Sequence, residues 1–255
     1  MLAISDSMVR ACLARHWGLS DARVEPHQGG MGSATWVVTH GGRRWVAKAV
    51  VPALGPQLAG GLSVATMLEA AGIPACAPMP TLDGSALVEL EAASLALLSW
   101  VEGEPLTGAG IGDQRMIGEK LALVHQALRG ASIRRTAAEH FRMDASGGRC
   151  GLIDWIVALQ GPLLYDLASA VMYVGGPDHR GRLVEAYLRR EVVTATEVER
   201  ALPVMLRFRW AVQADYFAWR VLNHDLTGIA GPPTMRRAWK TPAVGLARGP
   251  SIECV

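Results

Sequence analysis

The sequence predicts an α+β protein of two lobes, a small β-rich N-terminal lobe with one main helix and a mainly helical C-terminal lobe. Three observations predict it. β-Branched and aromatic runs joined by tight-turn residues fill the first hundred positions, apolar residues recur at helical spacing after Gly103, and one further pair of short apolar runs interrupts the helical texture near 140–155. The expected boundaries are 1–102 for the β-rich lobe, 103–230 for the helical lobe with its hairpin at 140–155, and 231–255 for a tail. That tail, with Pro, Arg and Gly but no periodicity, is expected to be poorly ordered.

The elements follow in order. Residues 6 to 17 read as a lead-in helix capped by Ser5 or Asp6, with Met8, Cys12 and Ala14 on one side. TWVVTH and RRWVAKAV, joined at His40-Gly41-Gly42, read as a two-strand hairpin whose glycines supply positive φ. Leu58 to Ala71 reads as a helix stopped by Gly72, with Pro74, Pro78 and Pro80 preventing extension. SALVEL and SLALLSWV are apolar runs of a second hairpin-like segment, with Asp83-Gly84 as its turn. Ile117, Leu121, Val124 and Leu128 form a stripe that one side of a helix would bury. HFRM and RCGLIDW flank the turn cluster Asp144 to Gly148, and helices are expected over roughly 163–174, 180–190 and 196–223.

Composition bounds the function classes. Half of the 255 residues are hydrophobic and 19% are charged, so the chain folds around a core and is not a disordered one. Lysine and arginine exceed the acids by only two, which removes the electrostatic footprint of a nucleic-acid or anionic-membrane partner. The four cysteines lack CxxC or CxxH spacing, which argues against a zinc site or disulfide framework. With no apolar signal core in Met1 to Arg15 and no long apolar stretch, the expected location is cytoplasmic; the oligomeric state stays open.

A few residues could do chemistry. Gln28 to Ser33, QGGMGS, precedes a strand, and its glycines would let backbone N–H groups approach an anion; the same residues also suit a plain turn. Lys48 sits in the apolar run Trp45-Val46-Ala47-Lys48-Ala49-Val50. A buried ammonium needs a negative partner, and a nucleotide phosphate is one; the alternative is that position 48 faces water. Asp154 ends the run Gly151-Leu152-Ile153-Asp154, where a rigidly held carboxylate suits a hard cation such as Mg²⁺. Asp166, at the start of an apolar helix, reads as an N-cap or a buried hydrogen-bonding residue, and His125 as a packed core histidine. Trp210 and Trp219 read as packing residues, while Asp215 and Asp225 are candidates for holding a cationic acceptor.

The glycine loop between strands, the lysine in Val-Ala-Lys, the proline-containing crossover, Ile153-Asp154-Trp155 and GPLLYDLA over Gly161 to Ala168 resemble the aminoglycoside phosphotransferase and choline kinase-like family. The likeness runs from about Val24 to Ile229. It implies a protein-kinase-like fold with a small β lobe, a linker near Trp100 to Gly103 and a larger helical lobe, which this chain is expected to carry in shortened form. It also implies ATP and Mg²⁺ as cofactors and a small hydroxylated acceptor. By the same resemblance Gly29, Gly30, Gly32, Ser33 and Lys48 would hold the nucleotide, and Asp154 and His140 the metal.

The chain departs from that pattern in three places, the third being the tail, since Gly231 onward looks unlike a closing helix, as a shifted reading frame would leave it. The expected His-x-Asp-x-x-x-x-Asn loop is degenerate or deleted: with HFRM as the strand after it, His140 falls at the asparagine, while Arg135 and Ile133 stand for the aspartate and histidine. Arginine cannot accept a proton, so no catalytic residue is assigned; Asp144, in a turn, is a poor substitute. Only the 14 residues Gln126 to Glu139 separate His125 from His140, which a deletion would explain. The helix after Lys48 has Ala59 or Gly60 where a glutamate would pair with the lysine, and its one acid is Glu69, so Lys48 is expected to lack its usual partner. The reading is an ATP-dependent small-molecule phosphotransferase of impaired activity; the alternative is a catalytically inactive nucleotide-binding or interaction protein.

Overall fold

The computed structural model describes residues 4–27, 33–129, 141–147, 149–156, 158 and 160–224. By its contacts the chain divides into two units, Met1–Leu106 with Val124–Gln160, and Thr107–Leu123 with Gly161–Val255. By contacts the hairpin near 140–155 counts with the first unit, whose first segment ends at Leu106.

The first unit opens with α1 (Asp6–Trp17), whose N-cap is Ser5, accepting from the Met8 N–H; Gly18 in the left-handed region ends it. Its inner side differs from the expected one: Val9, Cys12 and Leu13 are buried and Met8 is exposed. Then come β1 (Arg23–His27), β2 (Ala34–His40) and β3 (Arg43–Val50). Gly41 and Gly42, at φ +55° and +74°, join β2 to β3 in the two-residue turn that matches strand twist. After a 3-10 turn, α2 (Gly55–Ala70) begins three residues earlier than expected, because Pro56 fits the first turn of a helix.

β4 (Val88–Glu89) and β5 (Ser94–Ser99) pair antiparallel, and the sheet runs β1-β2-β3-β5-β4. The residues between them are Leu90 to Ala93, closed by reciprocal backbone bonds between Leu90 and Ala93. Asp83-Gly84 therefore lies in an earlier, separate turn: Asp83 accepts from the Thr81 hydroxyl and the Ser85 N–H, which ties Asp-Gly to its own neighbours instead of to strands. A second sheet, β6 (Glu104–Pro105), β7 (Phe141–Met143) and β8 (Cys150–Leu152), carries the expected hairpin.

The period of two sorts β3 and β5 between two cores. Ala47, Ala49, Leu95 and Leu97 join Val9, Cys12 and Leu13 of α1, with Val24, Trp36 and Val38. Val50, Ala96 and Leu98 join Leu58 and Leu62 of α2 and Cys76, with Val46, Ile153 and Ile156 packed against them. Lys48 shares its parity with Val46 and Val50, so it belongs to the α2 side of the sheet.

α3 (Ile111–Ala127) buries Ile117, Leu121 and Val124, with Leu128 and His125 also buried, as its stripe predicts. In the second unit, α4 (Leu163–Tyr173) packs along α6 (Ala195–Leu222), and α5 (Gly181–Leu188) lies between them in sequence. Thr194 and Glu197 close a capping box at the start of α6. The N-cap of α4 is Pro162, so Asp166 is no cap; it is buried in the first turn. Trp210 is buried as a packing residue, but Trp219 is 57% exposed and packs little. Among the described residues, no helix is long and apolar enough to cross a membrane. Asp225 and the segment 231–255 lie outside the described residues.

Candidate functional site

Lys48 and Asp154 come together. The Lys48 ammonium lies 2.5 Å from an Asp154 carboxylate oxygen, an ion pair across 106 positions of sequence. The lysine side chain is 10% exposed and the aspartate side chain 37%, so the pair has a buried cationic end and a carboxylate end open to solvent. Position 48 does not face water, and the ammonium pairs with Asp154 rather than with an acid of α2. Glu69, the acid of α2, is committed elsewhere, accepting from the Ala75 N–H at 3.0 Å and the Ser99 hydroxyl at 3.3 Å.

Backbone geometry aims the carboxylate. Asp154 adopts φ +66°, a conformation that costs about 1 kcal/mol or more for a residue with a Cβ and persists only when its surroundings fix it. Two bonds do so from either side: the Leu152 N–H donates to the Pro74 carbonyl at 2.8 Å, and the Trp155 indole N–H donates to the Ala75 carbonyl at 2.6 Å. The third constraint is α2 itself. At Gly61 a Cβ would stand 2.2 Å from the Trp155 carbonyl oxygen, so the absent side chain is what lets the 154–156 segment sit on the helix.

Cys76, at φ +55°, is buried beside the pair. Burial pushes its thiol from 9.0 up to about 12, outweighing the pull of the Lys48 charge, so it is a neutral packing group and not a nucleophile. Cys12, Cys76 and Cys150 are free and buried. The linker expected near Trp100 to Gly103 is braced from β3: the Arg44 guanidinium bonds both Glu102 carboxylate oxygens and lies 4.4 Å over the Trp100 ring. Those bonds hold the Glu102 carboxyl below its usual range.

Of the other sequence-derived candidates, Ser33 directly precedes β2, whereas Gly29, Gly30, Gly32 and His140 lie outside the described residues, as do Arg135 and Ile133. Asp144 is occupied by its own turn, accepting from the Ser146 hydroxyl at 3.0 Å and the Arg149 N–H at 3.2 Å. Asp215 is exposed on α6. Sequence reasoning misses Gly61 and Trp155 as supports of the site; the Gly60-Gly61 pair inside a helix is the one visible signal, since glycine there is costly unless a close approach requires it.

Among the described residues, no three or more His, Cys, Asp and Glu side chains gather as a protein-caged metal requires. One part-exposed carboxylate beside an ammonium instead fits a cation such as Mg²⁺ that keeps water and phosphate oxygens as its other ligands.

Residues 137–202 match the model of the phosphotransferase enzyme family. No curated protein matches the chain by sequence. Among solved structures, a spectinomycin phosphotransferase bound to ADP and spectinomycin superposes with a TM-score of 0.72 at 10% identity, over 96% of this chain and 98% of its own. An amicoumacin kinase with AMP-PNP and Ca²⁺ gives 0.73 at 11% identity, over 97% and 95%. A choline kinase from Streptococcus pneumoniae gives 0.59 at 12% identity, over 95% and 98%. The chain thus has the kinase-like α+β fold of the aminoglycoside phosphotransferases and choline kinase-like enzymes, and its residues 137–202 carry the sequence pattern of their phosphotransferase family.

Proposed function

We propose that the protein is an ATP-dependent phosphotransferase that passes the γ-phosphoryl group to a hydroxyl of a small molecule. The observation that carries the reading is the meeting of Lys48 and Asp154 at 2.5 Å, a cation from the sheet and an anion from the segment after β8. Lys48 would bind phosphate oxygens of the nucleotide, and Asp154 would hold Mg²⁺, which neutralises charge on the transferring group when bound. Both side chains are pre-positioned, by β3 and by the Trp155 and Leu152 hydrogen bonds, so little ordering is left to be done at the moment of binding. The relatives solved with ADP or AMP-PNP support a nucleotide ligand.

A second reading, a nucleotide-binding protein of impaired or absent transfer activity, draws on Asp144. Its carboxylate is engaged within its own turn, so it is badly placed to orient an acceptor.

Thermal unfolding with millimolar ATP and Mg²⁺, followed by ADP release in the presence of aminoglycosides, choline and other hydroxylated amines, tests both. A rise in melting temperature with acceptor-dependent ADP release supports the transferase. A rise without release leaves the nucleotide-binding protein, and no rise rejects both readings.

A further inference from the structure

The helix α6 is apolar on two opposite sides. On one of them Leu202, Leu206 and Phe217 are buried. On the other, Val204, Phe208, Ala211, Asp215, Trp219 and Leu222 follow at steps of three and four, which places all six within about 80° of the helix circumference. All six are exposed, and Val204, Phe208, Trp219 and Leu222 are each half exposed or more. Phe208 meets Tyr165 of α4 with ring centroids 5.8 Å apart and is still more than half open. A run of large apolar side chains along one helix face, two of them aromatic, marks a surface that is covered in use.

The stripe is complementary to itself when reversed. Turned end over end about the level of Gln213, Val204 falls opposite Leu222 of a second copy, Phe208 beside Trp219, and Ala211 opposite Asp215, where the small alanine leaves room for the carboxylate. Arg207 lies on the flank of the stripe one turn before Ala211. In that register its guanidinium comes within reach of Asp215 of the second copy, and the two-fold axis makes the same pair again. Neither Arg207 nor Asp215 makes a hydrogen bond or ion pair among the described residues, so both charges are available for it.

We propose that α6 packs antiparallel against α6 of a second copy of this chain, forming a two-fold symmetric dimer whose register is set by reciprocal Arg207–Asp215 ion pairs. The inference is independent of the function proposed above. A lone carboxylate in an apolar seam disfavours every register that leaves it unpaired, as a polar residue inside a coiled-coil seam does. Val204 to Leu222 spans about 27 Å of helix, a contact at the small end of specific interfaces, so a Kd of about 1–10 μM is expected.

The test is sedimentation equilibrium of the full chain from about 1 to 100 μM, with Asp215→Arg, Arg207→Asp and the double variant. The full chain passes from monomer to dimer, each single reversal weakens the dimer about tenfold or more, and the double reversal restores it to within about threefold. A full chain that stays monomeric overturns the proposal. A carbodiimide cross-link between Asp215 and Lys240 within that monomer assigns the stripe to the chain's own segment 225–255 instead. A dimer indifferent to both reversals places the interface on another face and overturns it too, as does a double variant no better than the singles. Should a reversal not fold by circular dichroism, Leu222→Ser, at the open end of the stripe, must weaken the dimer about tenfold, and an unchanged dimer overturns the proposal.

Discussion

The Trp155 indole N–H donates 2.6 Å to the carbonyl of Ala75, fastening the residue after Asp154 to the chain that follows α2. Both residues are buried. The aspartate therefore inherits its position from a neighbour that takes no part in the chemistry.

Replacing Trp155 by Phe keeps an aromatic ring but removes the indole N–H and part of the buried bulk, which strands the Ala75 carbonyl without its donor. A loss of about 1–3 kcal/mol in unfolding free energy is expected, read as a lower urea midpoint at unchanged slope. A loss near zero would mean that water replaces the indole and that the bond does not fix the segment.

Lys48→Met removes the ammonium that meets Asp154 and retains a stem of similar length. Transfer activity is expected to fall about 10²–10³-fold in kcat/KM, the scale on which a preorganised charge acts on a developing transition state. Activity within a factor of two of the unmodified protein would assign the phosphates to another residue.

The buried thiols set an alkaline limit on stability. Burial raises the Cys76 thiol from 9.0 to about 12 and the Cys12 thiol from 9.0 to about 11. The unfolded chain releases these protons first, so the stabilisation is whole below about pH 9 and is lost as pH rises towards the folded values. A denaturation midpoint that falls between pH 9 and pH 11 checks it. Ellman titration at pH 8 gives a second readout: with Cys12, Cys76 and Cys150 buried, no more than one of the four thiols should react before guanidinium is added.

Thr194→Ala opens the capping box of α6, removing the hydroxyl that accepts from the Glu197 N–H at 3.2 Å. A cost of about 1 kcal/mol is expected in urea unfolding, and Thr194→Ser should restore most of it.

Patterns that repeat within a few residues are legible in the amino-acid sequence alone. Gly41-Gly42 announces its turn because only glycine accepts two successive positive φ values cheaply, and the 117–121–124–128 stripe announces its helix by spacing. Lys48 stands out as the one charge in an apolar run, and Asp154 as the acid that closes another. That Lys48 and Asp154 meet is legible only through the family resemblance, because a contact across 106 positions leaves no local trace. Asp83-Gly84 misleads for the opposite reason: it has ideal turn chemistry, but the turn it makes closes on Thr81 and Ser85, while Leu90 to Ala93 join the strands with weaker signals. Gly61 is visible as a residue and mute as a reason, since what it accommodates is the backbone of Trp155.

The order in which the two charged groups are made has its own consequence. Lys48 leaves the ribosome 106 residues before Asp154 does, roughly 5–20 seconds at ordinary rates of synthesis. Throughout that interval the nascent strand β3 holds an ammonium on a face otherwise built of valine, leucine and alanine, with its counter-charge not yet translated. Ile153 and Ile156, which pack against that face in the finished protein, are also still missing, so its valine and leucine side chains lie open to association, and a translational pause placed shortly before codon 154 should lower the yield of folded protein more than the same pause placed after it.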